Sequence, residues 1–238
     1  MMGNYFGLVI ALVIITLWIL TVVTYQINDL TKLNYLVILL LILWQTFLNT
    51  GLFIIAHDAM HDLIFPSNHQ VNDSIGQISL ILYAFLAYEN LKEKHLLHHR
   101  FSGTNLDPDF HNQDNYTFLS WYIEFMTKYL SLKHLLRLSV LVLSIVYYCK
   151  VTWLHLLLFW ALPLILSSLQ LFFFGTFLPH RHGSKGKNDI SSIQSLHLPF
   201  FWSLITCYHF SYHQEHHQYP FVPWWQLPFV DSYIKSKN

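Results

Sequence analysis

Long apolar runs dominate this chain. Tyr5–Tyr25 carries no charge over 21 residues. As a helix rising about 1.5 Å per residue it spans roughly 31 Å, enough for a bilayer core. No Lys or Arg precedes it and no small-residue cleavage site follows, so it is expected to be a crossing and not a removed leader. Asn34–Ala56 is a second uncharged run. Leu138–Tyr148 is a third, lengthened by Lys133 and Arg137, whose charged ends can snorkel to the interface. Val151–Pro179 is a fourth, interrupted by Pro163, and at roughly 43 Å it should tilt or project into water. Four such runs predict an all-α, polytopic integral membrane protein with four transmembrane helices. Ile78–Tyr88 and Leu198–Tyr208 are too short to cross and are expected to form interfacial or re-entrant helices. No internal repeat or long linker divides residues 1–238, which predicts a single domain. The stretch Gly183–Asp189 is expected to be a loop.

Composition sharpens this. Hydrophobic residues make up 54% and charged residues 11%, against roughly 25% charged in a soluble domain. Lys+Arg and Asp+Glu balance at 13 each, so no excess positive charge is available for phosphates, and nucleic acid is excluded as a partner. The two cysteines make neither a disulfide framework nor a metal motif. With both termini on one side, the far loops hold only Lys32 and Lys150. The other basic residues, among them Lys92, Lys94, Arg100, Lys128, Lys133, Arg137 and Arg181, fall on the near side. The positive-inside rule makes that side cytoplasmic, and it is also the side of the histidines described next.

Histidine is the compositional outlier, with 16 residues, most of them clustered. HDAMH places His57 and His61 at i and i+4, where the second run ends. HLLHH places His95, His98 and His99 at i, i+3 and i+4, and HQEHH repeats that spacing with His213, His216 and His217. On helices each cluster shares a face, and each triplet is expected to aim three nitrogens at one point. His209 lies four residues ahead of the last cluster and extends its stripe. An isolated histidine is usually an ordinary polar group, which is the preferred reading of His69, His134, His155 and His197. Eight clustered imidazoles at one membrane face are different. One cation accepts at most about six such ligands, so eight imply two metals. Structural zinc closes with four ligands. A pair of redox-active irons with open positions fits the set better. Metal-bound imidazoles commonly donate their second nitrogen to a carboxylate, and Asp58, Glu93, Asp107, Asp109 and Glu215 stand in or near the clusters. Asp107 and Asp109 flank Pro108, where shaping a turn is the alternative role, and Glu215 points off its stripe.

The three boxes resemble those of the integral-membrane di-iron superfamily of fatty-acid desaturases, alkane hydroxylases and carotenoid oxygenases. The wider strings LWQTFLNTGLFIIAHDAMH (43–61), HLLHHRFSGTNLDPDFH (95–111), SSLQLFFFGTFLPHR (167–181) and WSLITCYHFSYHQEHHQYP (202–220) resemble bacterial β-carotene 4-ketolases. The likeness runs from about Val37 to Leu227. One departure is Asp62, where that family often has glycine. The resemblance implies a centre of two non-haem irons that uses O2 to hydroxylate the 4-position of a β-ionone ring twice. Loss of water then leaves a ketone, taking β-carotene through echinenone to canthaxanthin. It implies His57, His61, His95, His98, His99, His213, His216 and His217 as metal ligands. His180, in FGTFLPHR, stands at the place of a ninth. His209 competes for that role or stands behind a ligand. No catalytic residue is assigned beyond the ligands.

The substrate would be a carotenoid entering from the bilayer lipid. Electrons would come from an external donor such as ferredoxin, since the chain has no GxGxxG motif. The setting would be a bacterial cytoplasmic or thylakoid membrane. Aromatic residues at 17% suit an interfacial belt, with Trp121, Tyr122, Trp153, Trp224 and Trp225 as candidates. Two alternatives on the same scaffold are carotenoid 3-hydroxylation and fatty-acid desaturation. One of another class is a histidine-rich metal transporter, although transporters place ionisable ligands near the midplane.

Overall fold

The computed structural model describes residues 3–27, 32–111, 116–181 and 193–230. The expected loop Gly183–Asp189 lies outside them. Among the described residues the chain is helical, with no strand. Four helices are long and apolar enough to cross a membrane: Tyr5–Gln26, Tyr35–Met60, Leu132–Cys149 and Trp153–His180. They correspond to the four runs read from the sequence.

Helix α1 (Gly3–Ile27) packs on α2 (Tyr35–Met60), which starts at an Asn34 cap whose side chain accepts Val37 N–H at 2.9 Å. From Leu48 to Met60, α2 is buried at every residue except Phe53, and it is the axis of the molecule. Against it lies α3 (His69–Ala84), begun by an Asn68 cap and closed by Phe85 in the left-handed region. The run Ile78–Tyr88 is therefore not one short helix. It is the end of α3, a break, and the start of α4 (Tyr88–Phe101). After α5 (Phe118–Tyr129), α6 (Leu132–Cys149) buries none of its residues, as befits a helix surrounded by lipid.

The fourth span is continuous through both prolines. It comprises α7 (Trp153–Leu156), a π turn Leu157–Ala161, α8 (Leu162–Phe172), a second π turn Phe173–Phe177 and α9 (Leu178–His180). Proline lacks the N–H and crowds the carbonyl four residues back. A wider turn lies just ahead of Pro163 and of Pro179, so the helix carries on where a kink is expected. Two short helices, α10 (Phe200–Cys207) and α11 (His213–Gln218), complete the histidine end. The belt assignment fails for Trp121 and Trp224, which are buried inside the protein; Trp121 Nε1–H donates to Asp109 O at 2.9 Å.

Candidate metal centre

Four elements deliver the histidines. The last turn of α2 carries His57, and His61 caps it. The chain is held there by Asn72 of α3, which is wholly buried. Its Nδ2 donates to Ala59 O at 2.6 Å, and its Oδ1 accepts the N–H groups of Ile64 and Phe65 at 3.2 and 3.3 Å. Between them sits Asp62 at φ 60°, a left-handed position that glycine occupies at least cost and Asp or Asn better than other residues. Asp62 Oδ1 takes up His69 Nδ1 at 2.9 Å. Helix α4 supplies His95, His98 and His99, α9 supplies His180, and α11 supplies His213, His216 and His217.

These nine rings converge as two groups. His57, His61, His95, His99 and His216 form one; His98, His180, His213 and His217 form the other. Within each group the donor atoms lie within 4.8 Å of one another. In the first, Nε2···Nε2 separations are 2.7 Å for His61–His95, 2.9 Å for His99–His216 and 3.1 Å for His57–His216. In the second they are 3.0 Å for His213–His217 and 3.1 Å for His98–His217 and His180–His213. The groups adjoin, with the rings of His99 and His217 stacked at 4.2 Å.

The expectation that each triplet aims at one point is corrected here. Successive residues turn by about 100°, so i and i+4 differ by about 40°, whereas i+3 lies about 60° to the other side of i. In HLLHH the i,i+4 pair His95 and His99 joins the first group and His98 the second. In HQEHH the i,i+4 pair His213 and His217 joins the second group and His216 the first. Each helix serves both groups, and the two exchange their middle histidines.

Three of the nine rings are oriented from behind. Asp58 Oδ1 meets His57 Nδ1 at 3.1 Å, while its Oδ2 accepts the N–H of Trp224 at 3.0 Å. Asp107 Oδ1 meets His98 Nδ1 at 2.9 Å and accepts Asp109 N–H at 2.9 Å; its Oδ2 accepts Gly103 N–H at 2.9 Å. Asp109 Oδ2 lies 3.8 Å from the same His98 nitrogen, and its Oδ1 accepts the Tyr129 hydroxyl. Ser102 Oγ is 3.5 Å from His180 Nδ1. The other suggested carboxylates act elsewhere. Glu215 is bonded by His197 at 2.9 Å and by Ser195, and Glu93 is exposed on α4. His209 belongs to neither group. It lies at φ 62° in the turn before α11, which breaks the expected stripe, and its Nδ1 pairs with Ser203 Oγ at 3.0 Å.

The electrostatics separate His98 from its neighbours. Burial, then the surrounding imidazoles, hold His95, His99, His213, His216 and His217 well below the ordinary histidine value. Burial brings His61 down to about 4, with Asp62 opposing. Burial also works to lower His98, but the Asp107 and Asp109 carboxylates outweigh it and raise that ring to about 9. The result is a site in which all these imidazoles but His98 stay neutral and keep a lone pair, with anionic support at Asp107 behind His98, a donor set that suits cations.

Beneath the rings opens a cavity of about 120 Å³, lined by His57, His95, His98 and His213 and by an apolar wall that includes Phe53, Leu86, Leu171 and Phe172. Both histidine groups therefore face one apolar chamber. Phe210 forms part of its roof, edge-on to His57 at 4.6 Å between centroids. A Cβ on Gly175 would lie 3.0 Å from the Phe210 ring, so a glycine there lets the fourth span approach. Sequence reasoning missed Phe210, Asn72, Ser102 and Tyr129. The first sits in the CYHF string beside the third box, but nothing in its spacing distinguishes it from ordinary core.

The family described as fatty acid desaturase matches residues 30–237. A beta-carotene ketolase of Paracoccus sp. (strain N81106 / MBIC 01143) is 44% identical over 184 residues, covering 77% of this chain and 74% of that protein. A beta-carotene ketolase of Paracoccus sp. (strain PC1) is 42% identical with the same coverage. A zeaxanthin 4-ketolase of Chlamydomonas reinhardtii is 39% identical over 197 residues, covering 76% of this chain and 41% of that protein.

Proposed function

The chain belongs to the fatty acid desaturase family, and from that premise we propose that it is a membrane-embedded β-carotene 4-ketolase. The observation that carries this is the opening of two adjoining imidazole groups onto one apolar cavity. The ketolase relatives, similar over three quarters of the chain, give the substrate class.

The donor set fits two metal ions. Two nitrogens held about 2.1 Å from one cation at a right angle stand about 3.0 Å apart, and the facing pairs lie at 2.7–3.1 Å. His57, His61, His95, His99 and His216 would hold one ion, and His98, His180, His213 and His217 the other. Two irons, when bound, supply the redox chemistry that activates O2. The residues do the rest. Asp58 and Asp107 fix the tautomer and direction of His57 and His98. The cavity excludes water and presents a hydrocarbon ring end to the histidines. Burial keeps most of the rings neutral and available.

The stoichiometry of the double oxidation requires electrons from outside, from a carrier such as ferredoxin. The substrate enters laterally from lipid. Residues 1–238 act as one domain, with α10 lying at the interface and the histidine end facing the cytoplasm. Lys92, Lys94, Arg100, Lys128 and Arg181 on or beside the histidine-bearing elements support that orientation through the positive-inside rule.

Co-expression with β-carotene biosynthesis, followed by pigment chromatography, tests the reading. Echinenone and canthaxanthin are expected. Zeaxanthin alone would assign a 3-hydroxylase, and unchanged pigment with altered lipids a desaturase. Iron content of detergent-purified protein should approach two per chain.

A further inference from the structure

One hydroxyl group on the cavity wall has no partner among the described residues. Thr176 is 5% exposed and lines the chamber shared by His57, His95, His98 and His213. Among the described residues no hydrogen bond engages its Oγ1. Most helical hydroxyls here find a partner, Ser79 of α3 being another exception. Thr46, Thr50, Ser139, Ser144 and Thr206 each donate to the carbonyl four residues earlier, at 2.7–3.0 Å. The cause is local. Thr176 sits in the π turn Phe173–Phe177, where the Leu178 N–H bonds five residues back to Phe173 O. The wider turn displaces the carbonyl that a threonine of an α-helix uses.

The other hydroxyls on the wall are engaged. Ser168 pairs with Tyr122, Tyr129 donates to Asp109, and Tyr83 meets Ser167 at 3.5 Å. Thr176 also stands close to the chemistry. It precedes His180 by four residues, one helical turn or about 6 Å along the axis. A hydroxyl left open to an apolar chamber offers a hydrogen bond to a polar group on the bound molecule, the one interaction its apolar walls cannot supply.

We propose that Thr176 is a positioning residue for the second oxidation: its hydroxyl hydrogen-bonds the oxygen placed on the ring by the first. This rests on the ketolase reading above. In the first step a ring C–H bond becomes C–OH; one atom of O2 enters the ring and the other leaves as water. Two electrons come from the external one-electron carrier and two protons from solvent. The second step repeats this at the same carbon and gives a geminal diol, which loses water to form C=O. Between the two steps an alcohol occupies an apolar chamber. Holding its oxygen on Thr176 keeps the remaining C–H toward the histidines and delays release.

The test compares the parent, Thr176→Val and Thr176→Ser in cells making β-carotene, with pigments resolved as 4-alcohol and 4-ketone. Thr176→Val, which keeps the shape, should raise the alcohol-to-ketone ratio about 5-fold, the size of one net hydrogen bond. Thr176→Ser should restore the parent ratio. With purified protein, quenching of tryptophan fluorescence should show Thr176→Val losing about 5-fold in preference for the 4-alcohol over β-carotene. An unchanged ratio, or alcohol and ketone falling together, overturns the proposal. So does a variant that fails only on pigments already hydroxylated at carbon 3. A parent chain that makes no 4-oxygenated pigment overturns the ketolase reading itself, and this proposal with it.

Discussion

Asp107→Asn should empty one metal position and spare the other. Asp107 is 5% exposed, and all three of its contacts are N–H donors or a ring nitrogen. Asparagine keeps one acceptor oxygen. If that oxygen stays on His98, the new amide faces Gly103 N–H, donor against donor. Leaving a buried donor unpaired costs about 1–3 kcal/mol. The charge is lost as well. With both carboxylates in place His98 is raised to about 9 despite its burial, which shows how strongly these anions favour positive charge at that ring. A carboxylate that holds a proton there holds a dication more strongly. Losing a partner behind a ligand typically lowers metal affinity 10–100-fold. The assay is metal content per chain of detergent-purified protein after equilibration with graded chelator. At a chelator level where the parent keeps two ions, Asp107→Asn should keep about one. Asp58→Asn, acting behind His57, should give the complementary loss. Far-UV circular dichroism of both variants should match the parent. Unaltered affinity, or equal loss of both ions, would refute the division into two groups with separate supports.

Gly175→Ala puts a Cβ 3.0 Å from the Phe210 ring; Phe210 must shift against His57 and His213, and overpacking of this kind costs about 1–3 kcal/mol, seen as a lower Tm and reduced turnover at unchanged expression. Asp62→Gly trades a left-handed strain for the contact to His69, so its stability should stay within about 1 kcal/mol of the parent. Asp62→Ala, with the strain and without the contact, should be the less stable of the two, and the reverse order in thermal denaturation would count against a left-handed position 62. The metal-free protein should lose stability in acid. His61, lowered to about 4, contributes stability fully present above 6.5 and lost progressively as pH falls toward 4. His98, raised to about 9, contributes stability present below 6.5 and lost as pH rises through 9. Unfolding followed at pH 5, 7 and 9 should therefore show a maximum near neutrality, and a metal-free chain most stable at pH 5 would contradict the neutral-imidazole site.

Much of the site was legible because its chemistry is local. HDAMH, HLLHH and HQEHH are short-range patterns, and a helix turns such spacing directly into shared faces. The four apolar runs were legible because hydrocarbon demands length and lack of charge. Burial by distant partners was less legible. Trp121 and Trp224 look like interface anchors in the sequence, yet the first donates to Asp109 O and the backbone of the second to Asp58, 166 residues away. His209 looked like one more step of a stripe until Tyr208 and His209 both turned left-handed and ended it.

By itself the sequence determined the all-helical class, the four crossings and the identity of eight clustered imidazoles, since length, hydropathy and i,i+4 spacing are properties of a segment alone. Tertiary structure decided how those imidazoles are shared. A helix fixes the roughly 60° between His95 and His98, but only the placing of α2, α9 and α11 around α4 makes that angle point at two different groups. It also decided that His180 faces inward at the end of a span carrying two π turns, and that Asp107, not Glu215, stands behind a ring. Each of these depends on where one helix meets another, a relation that no local pattern records.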